Sequence, residues 1–264
     1  MPLPITAHEG GFSPDGNTYW SSGVAPGLVS AIDLTDPAAP RVVWQGLPGL
    51  SMHGFGLSPD GGLLYLANNM GGLMILDVSA VQRRDPSPQV RELAHLTWTD
   101  GWASQHNIPV TYAGRPYVFA TDEAGSGGVK LIDVADPTNP RIVETVELEI
   151  NLPENQDTAM ASAAGGSLFA YDAHYCAADR AADPTALACS WTSSGIRVFD
   201  VRDPSAIREI ACCWPETPPH ADGYDETACC SASPARRSSE ADSLSAVVAR
   251  ARTWRFSSVS DVQS

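Results

Sequence analysis

The chain has 264 residues, with 31 acidic and 16 basic side chains and a formal net charge of −15. This charge argues against a nucleic-acid partner, because phosphate binding needs a cationic face. A hydrophobic content of 43% is enough for a packed core and excludes disorder throughout the chain. No apolar run approaches the roughly 18 residues that a membrane span requires, so we expect no membrane-spanning segment.

The start of the chain, residues 1–8, lacks the basic and apolar regions of a signal peptide. A signal peptide encoded upstream of Met1 would make this a secreted or cell-surface protein. Without one, we expect a cytoplasmic protein.

A first sequence motif, which we call a phrase, recurs along the chain. Residues 8–16 and 53–61 match without a gap, and each runs from a histidine to a Ser-Pro-Asp-Gly sequence. Proline before a glycine at these positions is typical of a tight turn. We expect one short strand before each turn and another after it, as at residues 54–57 and 63–67. Two further copies begin at His106 and His174, and the last of them contains an insertion.

A second phrase, an apolar β-branched run that ends in aspartate, follows each histidine by 24 to 27 residues. Turn-forming residues come after each aspartate, so we expect these carboxylates to accept backbone N–H groups of the turn. The alternative, metal binding by the carboxylates, is less favoured for that reason. An arginine after three of the turns is expected to pair with a nearby carboxylate (Arg41, Arg141 and Arg208). The four structural aspartates are Asp33, Asp77, Asp133 and Asp200.

The recurring histidine and the recurring aspartate are separated by nearly the same number of residues in each copy. This spacing indicates a repeated unit of four short strands, which forms one antiparallel sheet. The repeats show no convincing helical periodicity, which disfavours alternating βαβ architectures. Repeated four-stranded units of roughly 45 to 65 residues are typical of β-propeller blades. A β-sandwich is the main alternative. We therefore predict an all-β, incomplete propeller with about four recognisable blades, around residues 8–50, 51–100, 101–150 and 168–211.

The aspartate phrases resemble those of the LVIVD-repeat proteins, which are bacterial β-propellers. The matching runs are 73–77, 129–133 and 196–200, each preceded by glycine, while the first copy departs at Ser30 and Ala31. The resemblance covers about residues 8–211 and implies a scaffold of about seven blades, often exported and mostly without an assigned activity. Since about four blades are present, we expect a partial chain. An open ring favours aggregation or self-association.

Residues 212–264 differ from the repeats, because alternation ceases and alanine, serine and arginine dominate. We expect an irregular tail, either disordered or read out of frame. The alternative is a capping helix at residues 244–254. Two adjacent cysteine doublets, at 212–213 and 229–230, have poor geometry for zinc.

Cys176 and Cys189 lie within the last repeat. They could form a disulfide between neighbouring strands, which would imply an oxidising compartment. Two free buried thiols are the alternative, since cysteine often behaves as a small hydrophobic residue.

The recurring histidines are the candidate binding residues. If they occupy equivalent blade positions, they approach the central channel together and could hold a divalent metal or copper. Propellers related to selenium-binding proteins and methanethiol oxidases resemble this arrangement. The favoured interpretation is structural, because a repeated residue is typical of a structural device: each histidine bonds to neighbouring backbone and fixes the entry to its blade, and no metal ligand is assigned. The four histidines are His8, His53, His106 and His174, and the acidic residues near them are Glu9, Asp122 and Glu123.

No motif identifies a reaction: the sequence has no Gly-x-Ser-x-Gly elbow, Walker A loop or GxGxxG after a strand. Trp98, Trp102 and Trp191 are expected to pack inside the blades. We therefore expect a noncatalytic scaffold that binds a protein or polysaccharide through loops on one face, with no committed cofactor. The alternative is a metal-dependent propeller enzyme, an oxidase or a hydrolase, that uses the channel histidines.

Overall fold

A computed structural model describes residues 3, 5, 7–125, 128–163 and 170–213. These residues form four antiparallel sheets of four strands, and each sheet contains its strands in sequence order. Residues 214–264 of the expected tail, with the alternative helix at residues 244–254, lie outside the described residues, whereas residues 212 and 213 end the last strand and not an irregular tail.

The first sheet comprises β1 (Glu9–Phe12), β2 (Thr18–Ser22), β3 (Val29–Asp33) and β4 (Arg41–Gly46). The second comprises β5 (Met52–Leu57), β6 (Leu63–Asn68), β7 (Leu73–Asp77) and β8 (Arg91–Leu96). The third comprises β9 (Gly101–Tyr112), β10 (Arg115–Gly125), β11 (Val129–Asp133) and β12 (Arg141–Val146). The fourth comprises β13 (Ala173–Ala178), β14 (Ala186–Trp191), β15 (Gly195–Asp200) and β16 (Arg208–Cys213).

The described helices are short: α1 (Ser79–Gln82), α2 (Gln156–Ser162) and two single turns at Glu149–Asn151 and Pro153–Asn155. Within the described part of the chain, no helix has the length and apolar character needed to cross a bilayer.

The sheets pack face to face, and successive residues of one strand serve two neighbours. Leu64 and Leu66 of β6 join the core shared with Trp20 of the first sheet. Tyr65, between them in sequence, packs with Val118 and other residues of the third sheet. This period-two division of side chains between two interfaces is how a propeller blade buries both of its faces. The prediction of four four-stranded blades in an incomplete β-propeller is confirmed.

The tight turns follow the predicted chemistry. Ser13 Oγ accepts the Thr18 backbone N–H at 2.9 Å and donates to Asp15, and Gly16 has a φ of +73°. Ser58 and Gly61 repeat this arrangement in the second blade. The third copy differs, because its first strand continues to Tyr112 and a two-residue turn follows.

The aspartate that ends each third strand organises the turn after it. Asp33 accepts the Thr35 backbone N–H at 3.0 Å and pairs with Arg41 at 2.9 Å. Asp77 and Asp200 make the corresponding turn bonds and pair with arginines of the fourth strand.

The third blade departs from the expected arginine pairing. Asp133 accepts the backbone N–H of Ala135 at 3.0 Å, as expected. Its close ion pair, at 2.6 Å, is with Arg115 of β10. Arg141 lies opposite Asp133 in register. Arg115 begins β10, which flanks β11 on the side opposite to β12, so it reaches this carboxylate from the other neighbouring strand.

In the fourth blade, Cys176 and Cys189 are directly opposite in register and form a disulfide. The inserted segment between them turns back onto the third blade. There Thr111 donates its backbone N–H to Ala181 at 2.8 Å and accepts that of Asp183 at 2.7 Å. This segment therefore ties the third and fourth blades together.

Candidate metal centre

Each blade has a channel end, where its first strand begins, and a turn end, which carries the structural aspartate. His8, His53 and His174 lie at this channel end, and His106 lies in the middle of the longer strand β9, beside a strand irregularity. In three blades the strand pairing is irregular beside the histidine: between Met52 and Phe55, between Thr121 and Asp122 opposite His106, and between Ala173 and Cys176. Such irregularities redirect side chains that regular pairing would send to one face.

Glu9 is the common partner of side chains from three other blades. Its carboxylate lies 2.8 Å from His53 Nδ1 and 3.3 Å from His106 Nδ1. It also accepts hydrogen bonds from Tyr175 Oη at 3.0 Å and Gln105 Nε2 at 3.2 Å. Burial alone would raise the pKa of Glu9, but hydrogen bonds from His106 and His53 outweigh it and lower the pKa to about 2. Glu9 is therefore a carboxylate at neutral pH.

Glu123 is a second carboxylate that contacts two histidines. Its carboxylate lies 3.6 Å from His53 Nε2 and 3.1 Å from His174 Nε2. Two ligand atoms bound tetrahedrally to one ion at about 2.0–2.1 Å are separated by roughly 3.3 Å. Each separation is close to that value, but the two imidazoles face different oxygens of Glu123, and the ligand atoms that lie within 4.8 Å of one another are those of His8, Glu9 and His53.

His53 lies between the two carboxylates, with Nδ1 toward Glu9 and Nε2 toward Glu123. Its side chain is only 6% exposed. A metal-binding histidine typically donates its other ring N–H to a carboxylate, which fixes the tautomer and the ring orientation. Glu9 is placed to receive that N–H, and in this tautomer the Nε2 lone pair faces Glu123.

His8 lies at the edge of the cluster. Its ring packs against that of His53 with centroids 4.3 Å apart, and single ligand atoms of His8, Glu9 and His53 lie within 4.8 Å of one another. Burial, followed by the charge of His53, lowers the pKa of His8. The neutral imidazole, which is the form that binds metals, is thereby favoured.

Asp122 does not join the cluster. It accepts hydrogen bonds from Trp98 Nε1 at 2.7 Å, Ser104 Oγ at 2.8 Å and Lys130 Nζ at 3.1 Å. Burial raises the pKa of Asp122, and the ammonium of Lys130 opposes that effect. Because all three donors hold it inside the third blade, Asp122 is a structural group.

From the sequence, the acidic residues were weaker candidates than the histidines. In the structure, however, the carboxylates of Glu9 and Glu123 are the groups that contact the imidazoles. It also missed Tyr175 and Gln105, whose only signal was adjacency to His174 and His106. Asp172, two residues before His174, was missed as well. Burial, followed by the charges of Glu123 and Asp122, raises its pKa to about 7.

The tryptophan prediction was partly wrong. Trp191 is 2% exposed and packs in the core between the third and fourth blades. Trp102, in contrast, is 47% exposed. The start of β9 carries it to the channel end, where the neighbouring backbone of Gly125 leaves room for a large side chain.

No protein-family model matches the chain, and no curated protein matches it. Solved structures do. A Lactobacillus plantarum protein is 16% identical with a TM-score of 0.54, over 74% of this chain and 53% of that one. The periplasmic gluconolactonase of Pseudomonas aeruginosa is 20% identical with a TM-score of 0.56, over 76% and 55%.

The β-propeller domain of Swd1 from Myceliophteria thermophila is 11% identical with a TM-score of 0.52, over 76% of this chain and 58% of that one. The chain thus spans between 53% and 58% of the length of these three structures. At these identities the likeness concerns the fold alone: the described chain consists of β-propeller blades.

Proposed function

We propose that the channel end binds one divalent transition-metal ion through His53 Nε2 and Glu123, and that the partly exposed His174 side chain turns its Nε2 toward the ion as the third ligand. The observation that carries this proposal is the position of His53 between two carboxylates, with Nδ1 bound by Glu9 and Nε2 beside Glu123. Glu9 orients the imidazoles of His53 and His106. His8 and His106 are the additional imidazoles within reach of the same cluster.

The donor types restrict the choice of metal. Imidazole nitrogen suits zinc, copper, iron and nickel, whereas calcium and magnesium prefer sites made of oxygen atoms. Two histidines and one carboxylate leave coordination positions open for water or substrate, as in catalytic sites. The proposed function is therefore that of a metal-dependent propeller enzyme, with oxidase or hydrolase chemistry as the two candidates.

We also infer that the blades belong to the LVIVD-repeat type. The phrases that carry this resemblance occupy the same position in each blade, the third strand, as in β7, β11 and β15. The disulfide between Cys176 and Cys189 favours an oxidising compartment, and hence a secreted or cell-surface protein.

A noncatalytic scaffold that binds a protein or polysaccharide is the second candidate. Leu50 and Met70 are 86% and 72% exposed. Their loops touch, since the Asn69 backbone N–H donates to the Ser51 carbonyl at 3.1 Å. Exposed apolar side chains on adjoining loops are typical of partner surfaces. Under this candidate, Leu50→Ala with Met70→Ala abolishes partner binding without changing metal content.

Metal analysis and calorimetric titration of the purified, chelator-treated chain with Zn²⁺, Cu²⁺ and Fe²⁺ test the metal proposal. We expect one ion per chain, and a loss of more than about 100-fold in affinity in His53→Ala and Glu123→Gln, since each removes a ligand. His95→Ala is the matched control, because His95 is an exposed histidine of the second blade that bonds to Asn68. Metal absent from the wild type, or retained equally in both site variants, contradicts the proposal.

A further inference from the structure

A cavity of about 210 Å³ lies beside the candidate metal centre, between the third and fourth blades. Gly125, which lines it, is two residues beyond Glu123 on β10, and residues two apart on a strand share a face about 6–7 Å apart. Asp172, also in the lining, is two residues before His174. We call this space the Trp102 cavity. Its volume is below the roughly 300–1,000 Å³ of drug-sized pockets, so it suits a ligand of few heavy atoms.

The wall of the Trp102 cavity is aromatic and apolar. Trp102, Tyr171 and Met160 line it, and Trp102 and Met160 are about half exposed, at 47% and 51%. Aromatic side chains attract a cation through the negative face of the ring, most strongly with tryptophan. An apolar or methylated surface on the ligand would gain from the same wall.

The acidic side chain in the described lining of the Trp102 cavity is Asp172, which is negatively charged in its ionised form. Asp172 is 3% exposed and accepts the Ala170 backbone N–H at 2.7 Å through Oδ2. Among the described residues that line the cavity, none is basic. Asn151 also lines it, but its amide is used by Tyr171, Trp191 and Leu148 and is thus structural. The nearby Glu123 adds to the negative potential.

We propose that the Trp102 cavity binds a small organic monocation, an ammonium group that carries apolar substituents. The carboxylate of Asp172 supplies the counter-charge, and Trp102 and Tyr171 supply the aromatic faces. This assignment goes beyond metal binding and does not depend on it, because none of these three residues is a proposed metal ligand.

Choline is the probe, titrated calorimetrically into the full chain in the presence of a chelator at about pH 8, where Asp172 is mostly ionised. Its neutral isostere, in which carbon replaces the quaternary nitrogen, has the same shape without the charge. We expect choline to bind at least about tenfold more tightly than the isostere. Trp102→Ala should weaken choline binding by about tenfold or more, in the range of a desolvated cation–π contact together with lost apolar contact.

Three variants control this measurement. Trp102→Phe keeps an aromatic face and should retain part of the affinity, which separates the ring from general folding. Asp172→Asn keeps the size of the side chain and should weaken choline more than the isostere. Phe12→Ala removes a 63% exposed aromatic side chain that does not line the cavity and should leave the affinity unchanged. Equal binding of choline and isostere, or unchanged choline affinity in Trp102→Ala, overturns the inference.

The metal titration separates the two proposals. Choline binding by a chain that takes up no metal leaves this inference standing and contradicts the proposed function. Metal uptake by a chain with no choline affinity supports the proposed function and contradicts this inference.

Discussion

At the turn end of each blade a carboxylate meets guanidinium and backbone N–H groups, whereas at the channel end two carboxylates meet imidazoles. Asp33 represents the first arrangement, with Arg41 and the Thr35 N–H as partners. Glu9 represents the second, with His53 and His106. A guanidinium has no lone pair to offer a metal, but a neutral imidazole does. The contrast teaches that the partner of a carboxylate, more than its burial, separates a structural site from the proposed binding site.

The largest expected effect tests this distinction inside the third blade, where the partner of Asp122 is the buried Lys130. Lys130→Met leaves the buried carboxylate without its ammonium and should lower the free energy of unfolding by about 3–5 kcal/mol. Urea denaturation followed by circular dichroism measures it. Adding Asp122→Asn should recover part of the loss, because no unpaired charge is then buried. A loss below about 1 kcal/mol in the single variant would show that Asp122 does not need this partner.

The next effect concerns the orienting role of Glu9. Glu9→Gln keeps the side-chain size but weakens the acceptor for the N–H groups of His53 and His106. We expect metal affinity to fall by about 10–100-fold, the usual cost of losing an outer carboxylate, while stoichiometry stays at one ion. Calorimetric titration provides both quantities. Complete loss of the ion would instead place Glu9 among the direct ligands.

A turn-end carboxylate should affect stability and leave metal binding intact. Asp33→Asn removes the charge that pairs with Arg41 and weakens the bonds to the turn. The unfolding free energy should fall by about 1–2 kcal/mol, since Arg41 itself is largely exposed. Metal affinity, measured in parallel, should match the wild type. A changed affinity would break the separation between the two ends.

The smallest effect is a pH dependence. Burial acts to raise the pKa of Asp33, but hydrogen bonds from Thr35 and Arg41 prevail and lower it to about 2. A carboxyl whose pKa is lower in the folded state stabilises the fold above its unfolded pKa, near 4, and loses that contribution as the pH falls toward 2. The thermal midpoint of the metal-free chain should therefore drop over this interval. Asp33→Asn should show a shallower drop, and an equally steep drop would assign the effect to other groups.

The sequence predicted the blades because their signals are local. A Ser-Pro-Asp-Gly turn and an aspartate at a strand end each act within a few residues, as Ser13 and Asp33 show. The partners of Glu9 are of another kind. Tyr175 reaches Glu9 across 166 residues, through the irregular strand that contains His174. The sequence composition reveals neither the strand irregularities nor the packing angle between blades. These contacts could therefore be identified only from the structure.

The exposed Trp102 illustrates the same limit. Alternation along β9 predicts which residues share a face, but it does not show that the strand extends beyond the core at the channel end. A buried tryptophan and an exposed one therefore look alike in the sequence. The same holds for Asp172, whose importance depends on the blade that packs against it.

The most direct test of the central claim is the X-ray absorption spectrum of the metal-loaded chain at the metal edge, compared with that of His53→Ala. We predict a first shell of nitrogen and oxygen at about 2.0–2.1 Å with the outer-shell signals of imidazole, weakened or lost in the variant. A sulfur shell at about 2.3 Å, or an unchanged imidazole signal in His53→Ala, would contradict the account.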